Sequence, residues 1–229
     1  MPCYGAHLMW FAARELLAYA LHGAMTPVRF ASRRRAEAGE EPIVLFIHGH
    51  GGSAGAFYFL RRALERRGFR RFSAWEYRGR GTIDGQAAAL AAHASSLVGP
   101  IHVVAHSLGG VIARQWLQAH GGRARAASLV TLSTPHHGLR PLPGARLLPL
   151  VREIVRGGEL IANLARTEDA LAGLPCLAIV SARDHFLGPA AKASFGTARL
   201  WQVADVGHVG VLFSREVHAL VARHLETHG

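Results

Sequence analysis

Apolar residues along this chain follow two alternating patterns. Short, mostly apolar runs occur at Ile43 to Ile47, Phe72 to Tyr77, Ile101 to Ala105 and Leu200 to Ala204, together with SLVTLS (Ser128 to Ser133) and CLAIVSA (Cys176 to Ala182). Between them, Ala54 to Arg67, Gly85 to Val98 and Leu108 to His120 space their apolar residues at helical intervals, and Gly121 and Gly122 stop the last of these. Runs that are apolar throughout, rather than alternating with polar residues, suit strands buried on both faces. The expected fold is therefore α/β, a mostly parallel, doubly wound sheet starting at Pro42, with helices on each side.

Two stretches depart from that rhythm. Ahead of Pro42, Ala6 to Met25 is strongly apolar, yet it carries Arg14 and Glu15 at its centre and no basic segment before it, which argues against a membrane span or cleavable signal. At helical spacing Trp10, Ala13, Leu17, Leu21 and Ala24 share one face, with Arg14, Ala18 and His22 near another. Such a helix can dock on its own domain, cover the site, or lie on an anionic membrane surface helped by Arg33 to Arg35. Ser32 to Glu41 reads as a solvated basic connector, so residues 1–41 form an N-terminal extension to a domain at 42–229. The second departure is about 139–169, where PLPG precedes helical patterns at Ala145 to Arg156 and Glu159 to Arg166; it is expected to be an inserted cap.

Composition changes this picture little. At 229 residues the chain suits one α/β domain. The net charge of +11 raises nucleic acid as a partner, but all but one of the 26 basic residues are arginine, and no nucleic-acid-reading motif accompanies them. No nucleic-acid partner is expected. Cys3 and Cys176 lack the density of a disulfide framework and read as free thiols, and the protein is expected in the cytoplasm or at its membrane face.

Candidate chemistry concentrates at the ends of the apolar runs. Ser107, within Ala105, His106, Ser107, Leu108 and Gly109, sits between a strand and a helix. A serine there is presented on a strained turn at the sheet's carboxyl edge, with the positive end of the helix beside it, as a nucleophile requires. His48, Gly49, His50, Gly51 and Gly52 follow the first strand, where the main-chain N–H of His50 and that of Leu108 can form an oxyanion hole. The HxH spacing, with His106, His136 and His137 elsewhere, also raises a metal site, but no further ligand follows at short spacing, and neither metal nor cofactor is expected. A general base must come from a loop after a late strand, and His208 in VGHVG is placed so, ahead of a C-terminal helix on which His218, His224 and His228 should face solvent. Asp184, directly after CLAIVSA, is the candidate acid, with Asp205 as its competitor.

AHSLGG, HGHGG, SARDHFLGP and VGHVG, in that combination, resemble the lipase and esterase branch of the α/β-hydrolases. Ala105 in place of the usual glycine is similar to the AxSxG variant of small bacterial triacylglycerol lipases, and STPHHGL (Ser133 to Leu139) to their TPHxG segment. The resemblance covers most of Pro42 to Glu226 and does not extend to residues 1–41. It implies an α/β-hydrolase fold and a two-step acyl transfer without cofactor, in which Ser107 attacks a carboxylic ester and His208 shuttles the proton. An ester with an apolar acyl group is the expected substrate; thioesters, polyesters, acyl transfer to another acceptor, or a noncatalytic binding role share the same framework. Leucines of the cap, among them Leu148, Leu150 and Leu164, offer a wall for an acyl chain or plain core packing.

Overall fold

A computed structural model describes residues 3–25, 41–77, 79–140, 148–187 and 194–229, with side chains from Phe11 onward. Residues 32–40 of the basic connector, the PLPG stretch and the Trp10 side chain lie outside the described residues. The chain opens with helix α1 (Cys3–Met25) and continues through β1 (Ile43–Ile47), α2 (Tyr58–Arg66), β2 (Phe72–Trp75), α3 (Ile83–Ser95), β3 (Ile101–His106) and α4 (Leu108–Ala119). It then runs through β4 (Ala126–Leu132), α5 (Pro149–Glu153), α6 (Glu159–Arg166), β5 (Cys176–Ser181), β6 (Arg199–Val203) and α7 (Arg215–Thr227).

The strands form one sheet in the order β2-β1-β3-β4-β5-β6, and every pairing is parallel. Alternate residues of β1 serve opposite faces: Leu45 and Ile47 pack with Leu90 of α3 and Ile112 and Trp116 of α4, while Val44 and Phe46 pack with Leu60 of α2 and Val217 and Val221 of α7. Both faces of β1 are thus dry, which is why that strand is apolar throughout, whereas the edge strand β6 (RLWQV) is mostly exposed. Because β2 and β3 flank β1 on opposite sides, the winding direction reverses between β1 and β3, and a crevice opens there beyond the strands' carboxyl ends. Ile47 pairs with Ala105, so the loops that follow β1 and β3 leave the sheet at the same level.

Several boundaries differ from the expectation for local reasons. The helix expected from Gly85 begins at Ile83, because the Thr82 side chain caps it by accepting the Gly85 N–H at 3.0 Å. The stretch from Ala54 begins as a 3₁₀ turn capped by Ser53. Strand β2 ends at Trp75 rather than Tyr77, since Tyr77 turns inward, stacks on His48 and donates its hydroxyl to the His48 carbonyl at 3.1 Å. His218 does not face solvent: it is buried, with Nε2 donating to the Leu212 carbonyl at 2.8 Å. Helix α1 docks by a different face from the one expected. Glu15 and Ala18 are buried, with Phe11, Leu21 and His22 half-buried, while Ala13 and Ala24 are exposed and Leu17 keeps 59% of its surface open to solvent. Cys176 is a free, buried thiol, and burial pushes its pKa up to about 12. The Cys3 side chain lies outside the described residues.

Of the expected cap, α5 and α6 pack over the carboxyl end of the sheet on the side of α4. Arg114 of α4, 1% exposed, ties down α6 and the turn after it: its guanidinium donates to the Leu164 carbonyl at 3.0 Å and to Glu168 at 2.8 Å, and lies over the Phe195 ring.

Three buried histidines make the fold sensitive to acid. Burial, with the charges of His224 and His228, lowers His102 to about 4; burial, with the charge of His208, lowers His106 to about 3; and burial beside Arg114 holds His136 well below its usual value. Each is depressed below its unfolded value near 6.5, so the unfolded chain binds more protons as pH falls through that value, and the stability present above it is lost on the way toward 4. The melting temperature should fall by on the order of 10 °C between pH 7 and pH 5, read by differential scanning calorimetry. A flat profile across that window would show that these imidazoles are not buried in neutral form.

Candidate active site

Ser107 stands between the end of β3 and the start of α4, with φ 51° and ψ −122°, a conformation L-residues rarely adopt. Such strain persists only where the surroundings enforce it. Here the Ser107 N–H is held by the Leu132 carbonyl at 2.9 Å and its carbonyl by the Gly110 N–H at 3.0 Å. The turn also needs Gly109: a Cβ there would meet the Ile47 carbonyl oxygen at 2.5 Å, so only glycine lets α4 start this close to β1. Ala105 is fully buried, and its methyl is accommodated where the related motif usually has glycine.

His208 and Asp184 converge on this serine from the ends of later strands. His208 Nε2 lies 3.0 Å from Ser107 Oγ, and His208 Nδ1 lies 2.8 Å from Asp184 Oδ2. The other carboxylate oxygen, Asp184 Oδ1, accepts the N–H groups of Phe186 and Leu187, both at 3.0 Å. Burial alone would raise the Asp184 pKa, but the bond and charge of His208 and the Leu187 N–H outweigh it and hold the carboxyl below its ordinary value. An ionised Asp184 requires a proton on Nδ1 of His208 and leaves Nε2 as the acceptor toward Ser107. Asp205, the competing acid, is exposed on the loop after β6 and makes no bond to His208 among the described contacts.

The oxyanion candidates, His50 and Leu108, belong to the segments that follow β1 and β3 and line the same cavity as Ser107. Leu108 is the first residue of α4, whose N–H has no partner within the helix. His50 follows β1, in a turn closed by the Gly52 N–H on the Gly49 carbonyl at 3.1 Å. His50 is exposed at the cavity. Sequence reasoning missed what steadies this loop: His48 Nδ1 donates to the Gly49 carbonyl at 2.8 Å, and its Nε2 accepts the Tyr77 N–H at 3.3 Å. It also missed His106. Held neutral by burial, that imidazole donates from Nε2 to the His208 carbonyl at 3.1 Å. Among the described residues no three His, Cys, Asp or Glu side chains group so as to hold a metal ion.

Ser107, His208, His50 and Leu108 line a cavity of about 660 Å³ whose walls are largely apolar, including Leu139, Leu148, Val151, Ile154, Leu187 and Val209. Tyr19 and His22 of α1 complete one wall. Burial, then the charges of Glu15 and Asp184, raise the Tyr19 phenol to about 12, so it faces the cavity as a neutral hydroxyl. Among the described residues no helix is long and apolar enough to cross a membrane.

The family model described as the alpha/beta hydrolase family matches residues 44–165, just over half of the chain, and the chain belongs to that family. No curated protein sequence matches it. Among solved structures it is similar to the mature lipase BlEst2 of Bacillus licheniformis, at 15% identity and TM-score 0.66, over 76% of this chain and 87% of that one. It is likewise similar to a monoacylglycerol lipase of Paleococcus ferrophilus, at 16% identity and TM-score 0.60, over 82% and 96% of the two chains. BpoC of Mycobacterium tuberculosis, described as a proposed non-heme bromoperoxidase, is similar at 19% identity and TM-score 0.61, over 83% and 94%. At these identities the likeness establishes the fold, and the chemistry must be argued from the site.

Proposed function

We propose that this protein hydrolyses carboxylic esters with an apolar acyl group through an acyl-enzyme on Ser107. The observation that carries the reading is the unbroken hydrogen-bonded line from Asp184 through His208 to Ser107, which lines an apolar cavity. In the first step Ser107 Oγ attacks the acyl carbon while its proton passes to His208 Nε2, and the carbonyl oxygen becomes an oxyanion facing the N–H groups of His50 and Leu108. His208 then returns the proton to the leaving alkoxide, and the alcohol departs. A water molecule repeats the sequence on the acyl-enzyme, giving the carboxylic acid and free Ser107. Asp184 supplies orientation and a negative charge beside the imidazolium that forms, without taking the proton itself.

The cavity wall supports the choice of acyl group. Leu148 is 41% exposed at the rim, whereas Ile154 and Leu187 are buried around the interior, so a chain entering from solvent meets apolar surface along its path. Helix α1, whose Tyr19 and His22 line the cavity, leaves Leu16 and Leu17 exposed, which suits an ester presented at a lipid surface. A series of p-nitrophenyl esters tests both points. Each buried methylene contributes at most about 0.8 kcal/mol, roughly fourfold, so kcat/KM should climb by a few-fold per added carbon from acetate to at least hexanoate. Long-chain esters should also be turned over when presented in anionic vesicles. A kcat/KM that is flat or falling from acetate onward contradicts the apolar acyl site.

A further inference from the structure

Glu15 lies in the middle of α1, between Arg14 and Leu16, and is 7% exposed. A buried carboxylate must find hydrogen-bond donors. Those of Glu15 are three backbone N–H groups of a single loop: Oε1 accepts from Val209 at 2.9 Å, and Oε2 from Gly207 at 3.0 Å and Gly210 at 3.2 Å. That loop carries His208. None of the three bonds touches the imidazole; they clamp the main chain on both sides of it, while His106 holds the His208 carbonyl from below.

The two glycines of VGHVG fit this contact. A Cβ on Gly207 would stand 2.6 Å from Glu15 Oε1, and one on Gly210 would stand 2.8 Å from Oε2. Any larger residue at either position would push the carboxylate away, so an acid on α1 and two glycines nearly two hundred residues later form one arrangement. Neighbouring contacts set α1 against the other loops of the site. The Arg183 guanidinium, next to Asp184, lies 5.1 Å from the Phe11 ring centre, and a Cβ on Gly52 would come within 3.1 Å of the His22 imidazole.

We propose that Glu15 is a positioning residue, whose carboxylate holds the His208 loop so that the imidazole stays within reach of Ser107. The proposal rests on the reading of Ser107 and His208 as nucleophile and base. The physical need is clear from the loop itself. Between β6 and α7 it contains two glycines within four residues, which leaves the backbone many conformations. Three closely spaced N–H groups converging on one point are satisfied best by an ionised acceptor, through charge-assisted bonds. A displacement of about 1 Å at a catalytic base costs on the order of 100-fold in rate.

Glu15→Gln keeps the size of the side chain but replaces one oxygen with an NH₂ group that would face an N–H donor. It is compared in the full-length protein with wild type, with Glu15→Asp, and with Ala18→Gly, which weakens the docking of α1 without touching the carboxylate. The substrate is p-nitrophenyl butyrate, and competent sites are counted by exhaustive fluorophosphonate labelling and intact-mass measurement. In Glu15→Gln, kcat per labelled site should fall roughly 100-fold with KM nearly unchanged. Glu15→Asp, with the charge retained but one methylene short, should lie between, at roughly 10-fold. Ala18→Gly should lower the melting temperature yet keep wild-type kcat per labelled site. The proposal is overturned if Glu15→Gln behaves like Ala18→Gly, losing stability or labelled fraction while each labelled site turns over normally. Should Glu15→Gln fail to fold, wild-type kcat per site in Glu15→Asp overturns it. A wild-type protein that does not label at Ser107 overturns the functional reading instead.

Discussion

Replacing Ser107 with alanine should lower kcat/KM for ester hydrolysis by roughly 10⁵-fold or more while leaving the protein folded. Loss of the nucleophile removes the covalent route entirely, and what remains is turnover by water positioned between the oxyanion donors and His208. The fold should tolerate the change because the hydroxyl makes its one described hydrogen bond to His208, and the turn is held by backbone bonds that alanine keeps. Alanine also occupies φ near 51° at no greater steric cost than serine does. Steady-state kinetics beside a thermal melt separates the two effects. A loss of activity that tracks a loss of folded protein would mean that the serine is structural, and substantial residual turnover would place the nucleophile elsewhere.

Asp184→Asn should reduce kcat by roughly 10⁴-fold, as the equivalent change does in serine proteases, and the arrangement around the carboxylate says why. Oδ1 is pinned by the N–H groups of Phe186 and Leu187, so the asparagine carbonyl will take that place and the NH₂ group will turn toward His208. Facing a donor, Nδ1 must become the acceptor, which moves the imidazole proton to Nε2 and leaves nothing to receive the proton of Ser107. The expected signature is a fall in kcat with KM little changed and the fold intact. Asp205→Asn should be close to wild type, since that side chain is exposed. The opposite outcome for the two variants would reassign the acid.

The parallel sheet was legible because burial on both faces leaves a mark that survives in one dimension: IVLFI has no polar face to show. Ser107, Asp184 and His208 come together for a related reason. Each lies in a short motif on the connection that follows a strand, and in a parallel sheet the ends of such strands share one edge. Helix α1 was read less well. Its apolar stripe through Ala13 and Leu17 predicted the docked face, whereas the observed one is organised by a carboxylate, Glu15, whose partners lie at the far end of the chain. Hydropathy scores an acid in an apolar helix as a reason for exposure, and only the three-dimensional arrangement supplies the N–H donors that reverse that inference. His218 was misjudged on the same grounds, being polar by type and buried by virtue of one carbonyl, that of Leu212. Helix ends moved by a few residues wherever a side chain such as Thr82 captured a free N–H.

The account turns on Ser107 being a nucleophile activated by His208, and active-site labelling addresses that most directly. Wild-type protein is treated with a fluorophosphonate, sampled over time for hydrolysis of p-nitrophenyl butyrate, and digested for peptide mapping by tandem mass spectrometry. The account predicts one adduct per chain, on Ser107, accumulating at the rate at which activity disappears, and no adduct in Ser107→Ala. Full activity in unlabelled protein after prolonged treatment, or an adduct on another serine that tracks the loss, would contradict it.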